Sequence, residues 1–138
     1  MSTSPQTGED DAQARWVVSA RIVPKPWGHE EIYAHVPGGF AGKALHVRAG
    51  CALSLQYHEH KDEVIALQSG AIRLEIGPSR DALEVVHLRP GDAVRVLPRT
   101  IHRLTALVDS VVLEASTDDL DDVVRLDDRY GREGTTAP

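Results

Sequence analysis

The chain has 138 residues, the common size of a single domain, which buries roughly two-thirds of its unfolded surface. Its net charge of -6 argues against a general binder of nucleic-acid phosphates, and no apolar run approaches the ~20 residues of a membrane span. Aromatic residues make up only 4% of the chain, so we expect a core built mainly from Val, Leu, Ile and Ala.

Both ends of the chain have the composition of unstructured tails. Residues 1–15 are rich in Ser, Thr, Gln and Asp, and neither they nor residues 133–138 bury enough surface to offset the entropy of ordering. The N-terminus lacks the basic-then-apolar order of a secretory signal. The single Cys51 cannot form an internal disulfide and is compatible with a reducing compartment. We therefore expect a cytoplasmic protein whose one domain spans residues 16–132.

Short apolar segments bounded by turn residues recur through this domain. In chain order they lie at 16–18, 21–23, 31–34, 43–48, 53–58, 64–67, 72–76, 83–88, 93–97, 103–107 and 111–115. Near the end, residues 118–127 have an apolar side that predicts a short helical turn. We find no internal repeat. Many short strands with turns every 8 to 12 residues predict a single all-β domain, a sandwich or a barrel.

Side chains with metal-ligand chemistry gather on two stretches of the sequence. They are Gln56, His58, His60 and Glu63 on the first stretch and His102 on the second. Gln56, His58 and His60 have the same parity, so an extended strand would point all three to one face. Imidazoles, a carboxylate and an amide oxygen together suit one divalent ion such as Zn, Mn, Fe, Co or Ni.

The spacing on the first stretch resembles the first motif of the cupin superfamily. That motif reads Gly, five residues, His-x-His, three or four residues, Glu, six residues, Gly. The matching positions are Gly50, Gln56-Tyr57-His58, Glu63 and Gly70, with Gln56 in place of the first His. Reading His58-Glu59-His60 as the His-x-His breaks the spacing on both sides. The resemblance therefore favours Gln56 over His60 as a ligand.

The second stretch resembles the second cupin motif, which reads Gly, five residues, Pro-x-Gly, two residues, His. Gly91 and His102 keep this spacing, but Leu97 and Arg99 replace the Pro and the Gly, and Ala106 replaces the usual closing Asn. Together the two motifs imply a jelly-roll β-barrel, also called a double-stranded β-helix. They also imply a metal site formed by Gln56, His58, Glu63 and His102.

A closer resemblance is to the isomerase domain of type II mannose-6-phosphate isomerases. It covers residues 22–132 and rests on four segments that keep their order. They are Pro26-Trp27-Gly28 with the following acidic residues, Leu53-Ser54-Leu55-Gln56-Tyr57-His58, Thr100-Ile101-His102-Arg103, and the ending Asp121-Asp122-Val123-Val124-Arg125 through Tyr130-Gly131-Arg132. The guanylyltransferase half that often accompanies this domain is missing.

This resemblance implies a metal-dependent aldose–ketose isomerase acting on a sugar or sugar phosphate. Such chemistry needs a cation beside the sugar oxygens and a group that shuttles a proton. Lys43 aligns with a Lys of the resembled domain, and it points inward only if the face opposite His46 lines the barrel. Arg103 could hold a phosphate or an enediolate, although it points away from its neighbour His102. His60 is a candidate proton shuttle because an imidazole can both accept and donate a proton.

Two other functions stay open at this point. The chain could be another metal-dependent cupin enzyme, a dioxygenase or an epimerase, that acts on a small polar metabolite. It could also be a non-catalytic sugar-binding module. In each case the partner is a small molecule, with no role for nucleic acid or membrane, and the resemblance implies a homodimer.

Overall fold

A computed structural model describes residues 7–134. Within this range the chain forms one helix followed by eleven strands. They are α1 (Thr7–Trp16), β1 (Arg21–Lys25), β2 (Gly28–Val36), β3 (Phe40–Val47), β4 (Leu55–Tyr57), β5 (Glu63–Ser69), β6 (Ile72–Gly77), β7 (Glu84–Leu88), β8 (Ala93–Val96), β9 (Ile101–Ala106), β10 (Ser110–Ser116) and β11 (Val124–Asp127).

The strands form two antiparallel sheets. One has six strands in the order β1-β2-β3-β10-β5-β8, and the other has five in the order β11-β4-β9-β6-β7. Strands from the two halves of the sequence alternate, since β10 pairs with both β3 and β5 and β9 pairs with both β4 and β6. The all-β jelly roll predicted from the sequence is therefore confirmed.

The core lies between the inward faces of the two sheets. Its buried residues are mainly aliphatic: Leu45, Val47, Ile65, Leu67, Ile72, Leu74, Leu88, Val96, Leu104, Ala106 and Val112. Trp27 is the one aromatic member, and it is 2% exposed. Each fully buried Leu, Ile or Val stabilises the fold by ~1.5–3 kcal/mol relative to an exposed one.

Two expectations about helices were wrong. Residues 7–16 form α1 instead of part of an unstructured tail, and no strand follows at 17 and 18. Glu9 and Asp10 in the first turn and Arg15 in the last turn complement the helix dipole. Residues 118–127 contain a turn and strand β11 instead of a helical turn, because Val124 and Arg125 pair with β4.

The turn from β5 to β6 requires glycine. Gly70 has a φ of 98°, in the region that other residues disfavour, and a side chain there would collide with Ser110. Gly50, which precedes β4, also has a positive φ of 80°. These are two of the glycines that carry the motif spacing, so the motif marks turns. In the described part of the chain, no helix has the length and apolar character needed to cross a membrane.

Candidate metal centre

Three of the predicted ligands meet at one buried point between the two sheets. His58 follows β4, Glu63 begins β5 and His102 lies in β9. Oε1 of Glu63 lies 3.3 Å from Nε2 of His58 and 3.5 Å from Nε2 of His102. All three side chains are buried, and their candidate ligand atoms lie within 4.8 Å of one another. Donor atoms ~2.1 Å from a shared ion are separated by about 3–3.5 Å, so these distances suit one ion.

Backbone carbonyls set the orientation of both rings. Nδ1 of His58 lies 2.6 Å from the carbonyl oxygen of Asp122, and Nδ1 of His102 lies 3.0 Å from that of Thr100. A carbonyl oxygen only accepts hydrogen bonds, so each Nδ1 must carry the proton that it donates. In the neutral ring, Nε2 is then a free acceptor that faces Glu63. This arrangement is typical of histidines that bind metal.

The convergence of acceptors is the strongest indication that a cation belongs here. Two imidazole lone pairs and an ionised carboxylate oxygen face one another, and they repel unless a positive charge lies between them. Among the residues described, Nε2 of His58 has no hydrogen-bond partner. Buried polar atoms are rarely left in this state, and a divalent ion would satisfy all three acceptors. The residues therefore fit a metal ion.

Gln56 lies beside this cluster as the fourth candidate ligand. It is directly opposite His102 in the pairing of β4 with β9. Its Oε1 accepts a hydrogen bond of 2.6 Å from the Ser54 hydroxyl, and its side chain lines the same cavity as His58. The amide oxygen thus has a lone pair left for an ion.

Lys61 balances the buried charge of Glu63. Its Nζ lies 3.2 Å from Oε2 of Glu63 and 3.6 Å from Oε2 of Glu114. Burial opposes ionisation of Glu63, but the positive charge of Lys61 holds its pKa well below the usual range. Burial likewise disfavours the charge of Lys61, yet Glu114 and Glu63 raise its pKa above the usual value. The carboxylate is thereby kept ionised and ready to bind a cation.

The cluster borders a narrow cavity at one end of the barrel. The cavity has a volume of about 40 Å³, and its polar lining includes Gln56, His58, Lys61, Glu114, Lys43, Glu30 and Asp122. Nζ of Lys43 lies 3.3 Å from Oε1 and 3.4 Å from Oε2 of Glu30. Both side chains are buried, so the cavity holds a tight acid–base pair close to the candidate ligands.

The three predicted catalytic residues do not lie together. Lys43 lines the cavity, because β3 directs Lys43, Leu45 and Val47 toward the barrel interior. His60 is exposed and lies outside the cavity lining. Arg103 points away from the interior and forms ion pairs with Glu75 at 3.1 Å and with Asp127 at 3.4 Å.

His60 and Arg103 lie away from the cluster for simple reasons. The parity argument for His60 needs an extended strand, but β4 ends at Tyr57 and the chain turns at Glu59 and His60. Arg103 follows His102 in a regular strand, and adjacent strand residues point to opposite faces. Neither side chain reaches the cluster.

The sequence analysis missed Glu30, Lys61, Glu114 and Asp122. One usable signal was a charged residue in phase with buried apolar residues along the same strand. Glu63 precedes Ile65 and Leu67 in this way, and Glu114 follows Val112. Because β10 runs antiparallel to β5, both carboxylates fall at the same end of the barrel. Charged residues at inward-facing positions near the ends of strands therefore mark the site.

Three further cationic side chains line the cavity. They are Lys25, Arg125 and Arg132. Burial is the main cause that lowers the pKa of Lys25, and the charges of Arg125, Lys43 and Arg132 lower it further against the opposing effect of Glu30. Burial followed by the charge of Arg132 also lowers the pKa of Arg125. These three cations therefore lie close enough together to influence one another's charge.

The fold is similar to several solved structures. KdgF from Halomonas sp. aligns with a TM-score of 0.63 and 24% identity, over 73% of this chain and 88% of that one. The capsular polysaccharide assembling protein CapF from Staphylococcus aureus aligns with a TM-score of 0.68 and 13% identity, over 83% and 34%. Oxalate decarboxylase from Bacillus subtilis aligns with a TM-score of 0.71 and 16% identity, over 91% and 40%.

These similarities are structural. No family model and no curated protein sequence matches the chain. The chain spans less than half the length of the CapF and oxalate decarboxylase chains, and identities this low establish the fold alone. The strand order, the motif spacing and these neighbours agree, and the chain has the fold of a small cupin.

Proposed function

We propose that the chain is a metal-dependent isomerase that interconverts the aldose and ketose forms of a sugar or sugar phosphate. The first pair to test is mannose 6-phosphate and fructose 6-phosphate. The observation that carries the proposal is the buried Lys43–Glu30 pair, which lines the same cavity as Gln56 and His58. Aldose–ketose isomerisation requires a cation near the sugar oxygens and a group that moves a proton between adjacent carbons.

One divalent ion, Zn, Mn, Fe, Co or Ni, would be held by His58, Glu63 and His102, with Gln56 as the fourth ligand. When bound, such an ion polarises the oxygens of the substrate as a Lewis acid. An amide oxygen is a harder ligand than the imidazole that it replaces in the motif. This ligand set favours Lewis-acid chemistry over oxygen chemistry.

Glu30 transfers the proton and Lys43 stabilises the developing negative charge. The Glu30 carboxylate accepts the proton from C2 of the aldose and returns it to C1, while the hydroxyl proton passes from O2 to O1. The reverse reaction uses the same group. The Lys43 ammonium donates a hydrogen bond to the sugar oxygen that gains negative charge. Because Nζ of Lys43 lies 3.3 Å from the Glu30 carboxylate, both groups reach the same part of the substrate. Their burial strengthens each interaction relative to water.

The charges around the cavity support a substrate that carries an anionic group. Five cationic side chains line it, Lys25, Lys43, Lys61, Arg125 and Arg132, against the three carboxylates Glu30, Glu114 and Asp122. Glu63 and Asp128, which pair with Lys61 and Arg132, balance the remaining two cations, so a bound divalent ion would supply the positive charge that suits a phosphate. Cationic side chains that are far apart in the sequence line this one cavity, which favours a sugar phosphate over a neutral sugar.

The size of the cavity favours a second candidate function. A volume of about 40 Å³ admits a small anion more readily than a whole sugar phosphate. The chain could therefore be a metal-dependent dioxygenase or epimerase that acts on a small polar metabolite such as a carboxylate. One of the structurally similar proteins is named for its action on oxalate, a small dicarboxylate.

The two candidates are distinguished by a turnover assay on protein loaded with each of the five ions in turn. Mannose 6-phosphate, fructose 6-phosphate and a panel of small carboxylates are incubated with the protein, and the products are separated by chromatography. We expect sugar-phosphate interconversion that is lost in Lys43→Met and Glu30→Gln and retained in His60→Ala and Arg103→Lys. Turnover of carboxylates alone would favour the second function. Sugar binding without turnover by any loaded form would indicate a non-catalytic module.

A further inference from the structure

Asp122 contacts the candidate metal site through two separate groups. Its carboxylate accepts three hydrogen bonds from consecutive backbone N–H groups, those of Glu59 at 2.9 Å, His60 at 2.7 Å and Lys61 at 2.9 Å. Its backbone carbonyl oxygen accepts the Nδ1 hydrogen bond of His58 at 2.6 Å. One residue thus holds residues 59–61, which lie between the candidate ligands His58 and Glu63.

These contacts join parts of the chain that are far apart in sequence. The hydrogen bonds of Asp122 link residues separated by 61 to 64 positions. A second pair reinforces them, since the Thr117 N–H donates to the carbonyl oxygen of Asp62 at 3.0 Å and the Asp62 N–H donates to the Thr117 hydroxyl at 3.2 Å. The segment 117–122 is therefore fastened along the length of the loop that joins β4 to β5.

The carboxylate of Asp122 is suited to this role as an ionised group. It accepts from three N–H groups at once, and the two oxygens of a carboxylate have the lone pairs to do so. An amide in its place would offer one oxygen and one NH₂ group. The NH₂ group would face a backbone donor and could not accept its hydrogen bond.

We propose that Asp122 is a positioning residue of the metal site, which holds the loop that carries His58 and fixes the tautomer of its ring. This inference rests on the metal binding proposed above. Its carbonyl oxygen keeps the proton on Nδ1, which leaves Nε2 as the ligand atom. Its carboxylate keeps Glu59 to Lys61 in the conformation that brings His58 and Glu63 together. By linkage, an ion that needs this geometry also stabilises the contact between segments 59–61 and 117–122.

The test measures ion affinity and loop protection in the same proteins. Zn²⁺ and Co²⁺ affinities are measured by calorimetry for wild type, Asp122→Asn and Asp122→Ala, and hydrogen exchange is followed at the amides of residues 59–61. We expect affinities 10–100-fold weaker in Asp122→Asn, the range found when a group that orients a ligand is removed. We also expect faster exchange at these amides and an altered visible spectrum of bound Co²⁺.

Three controls separate positioning from general destabilisation. His60→Ala keeps the N–H that Asp122 binds, and Asp119→Asn alters a neighbouring carboxylate that accepts from Thr117. Leu88→Ala loosens the core in another part of the barrel. We expect all three to bind Zn²⁺ within about twofold to threefold of wild type, whatever their stability.

The outcomes are distinct. Wild-type affinity in Asp122→Asn, with amides 59–61 already exchanging fast, would overturn the inference and leave the metal site intact. An equal loss in Leu88→Ala would also overturn it, because the effect would then follow stability alone. Failure of wild type to bind any ion would overturn both this inference and the proposed function.

Discussion

The backbone N–H of Arg99 donates a hydrogen bond of 2.6 Å to the carbonyl oxygen of His58. This contact ties the turn before β9, which carries His102, to the end of β4. Arg99 makes it with a φ of 66°, the one described non-glycine residue with a positive φ. The cupin motif has Gly at this position. Arg99 therefore adopts a conformation that glycine adopts more easily.

Replacing Arg99 with Gly should stabilise the protein. A non-glycine residue in the left-handed region costs ~1–2 kcal/mol, whereas the exposed ion pair of Arg99 with Glu59 contributes ~0–1 kcal/mol. We expect Arg99→Gly to be more stable by about 1 kcal/mol, which raises the melting temperature by roughly 3–5 °C. Arg99→Ala is the matched control, since it loses the ion pair but keeps the strained backbone. Equal stability of the two variants would contradict this explanation.

The sequence predicted those parts of the site that depend on turns and on strand phase. The motif spacing placed Glu63 and His102 correctly because each lies next to a turn whose length is fixed. Strand phase placed Lys43 on the face opposite His46, and that face lines the cavity. The same argument failed for His60, because nothing local indicated that β4 would end at Tyr57.

The remaining parts of the site depend on contacts between distant segments. Asp122 reaches His58 and the following loop across more than sixty positions, and Lys61 reaches Glu114 on β10. No local pattern in the sequence specifies such partners. The predicted helical turn failed for a similar reason, since pairing with β4 draws Val124 and Arg125 into a strand. Tertiary pairing outweighed a weak helical pattern.

Replacing the Asp128 carboxylate should make the free energy of unfolding depend less on pH in the acid range. Asp128 is 5% exposed and accepts from the Arg132 side chain at 2.8 and 3.0 Å and from its N–H at 2.8 Å. Burial opposes ionisation, but Arg132 holds the pKa of Asp128 below its usual 3.8. The folded pKa is therefore the lower one, so this stabilisation is complete above about pH 5 and is lost as the pH falls through 3.8 and below.

Urea unfolding between pH 3 and pH 7 measures this effect. We expect Asp128→Asn to be less stable than wild type at pH 7 by ~1.5–3 kcal/mol, with the difference narrowing toward pH 3. Asp127→Asn, which alters the exposed neighbour paired with Arg103, should change stability little at any pH. A gap between wild type and Asp128→Asn that stays constant with pH would contradict the assignment.

Gln56 should contribute to ion binding less than the charged or imidazole ligands do. Its amide oxygen is neutral and already accepts from Ser54. We expect Gln56→Ala to weaken Zn²⁺ binding roughly tenfold, and Gln56→His, which restores the motif residue, to strengthen it, because Zn²⁺ prefers imidazole to an amide. Calorimetric titration of both variants checks the order. Weaker binding in Gln56→His than in Gln56→Ala would exclude position 56 from the ion's ligands.

The homodimer implied by the resemblance stays a prediction. Several large apolar side chains are exposed near the edge of the six-stranded sheet, including Ile22, Tyr33, Val36 and Phe40. Unpaired sheet edges and apolar patches are commonly covered by a second copy. Sedimentation velocity should show a dimer for the wild-type protein. For Ile22→Lys it should show a dimer that dissociates at a higher protein concentration. A concentration-independent monomer in the wild-type protein would contradict the prediction.

The measurement that tests the metal centre most directly is the elemental content of purified protein, together with its variants Glu63→Gln, His102→Ala and His60→Ala. We expect close to one equivalent of Zn, Mn, Fe, Co or Ni in wild type and in His60→Ala, whose side chain lies outside the cluster. The content should fall sharply in the other two variants, because Glu63→Gln removes the negative charge and His102→Ala removes the imidazole at the point where Glu63, His58 and His102 converge. Wild-type protein that stays free of metal after refilling with each ion would contradict the account.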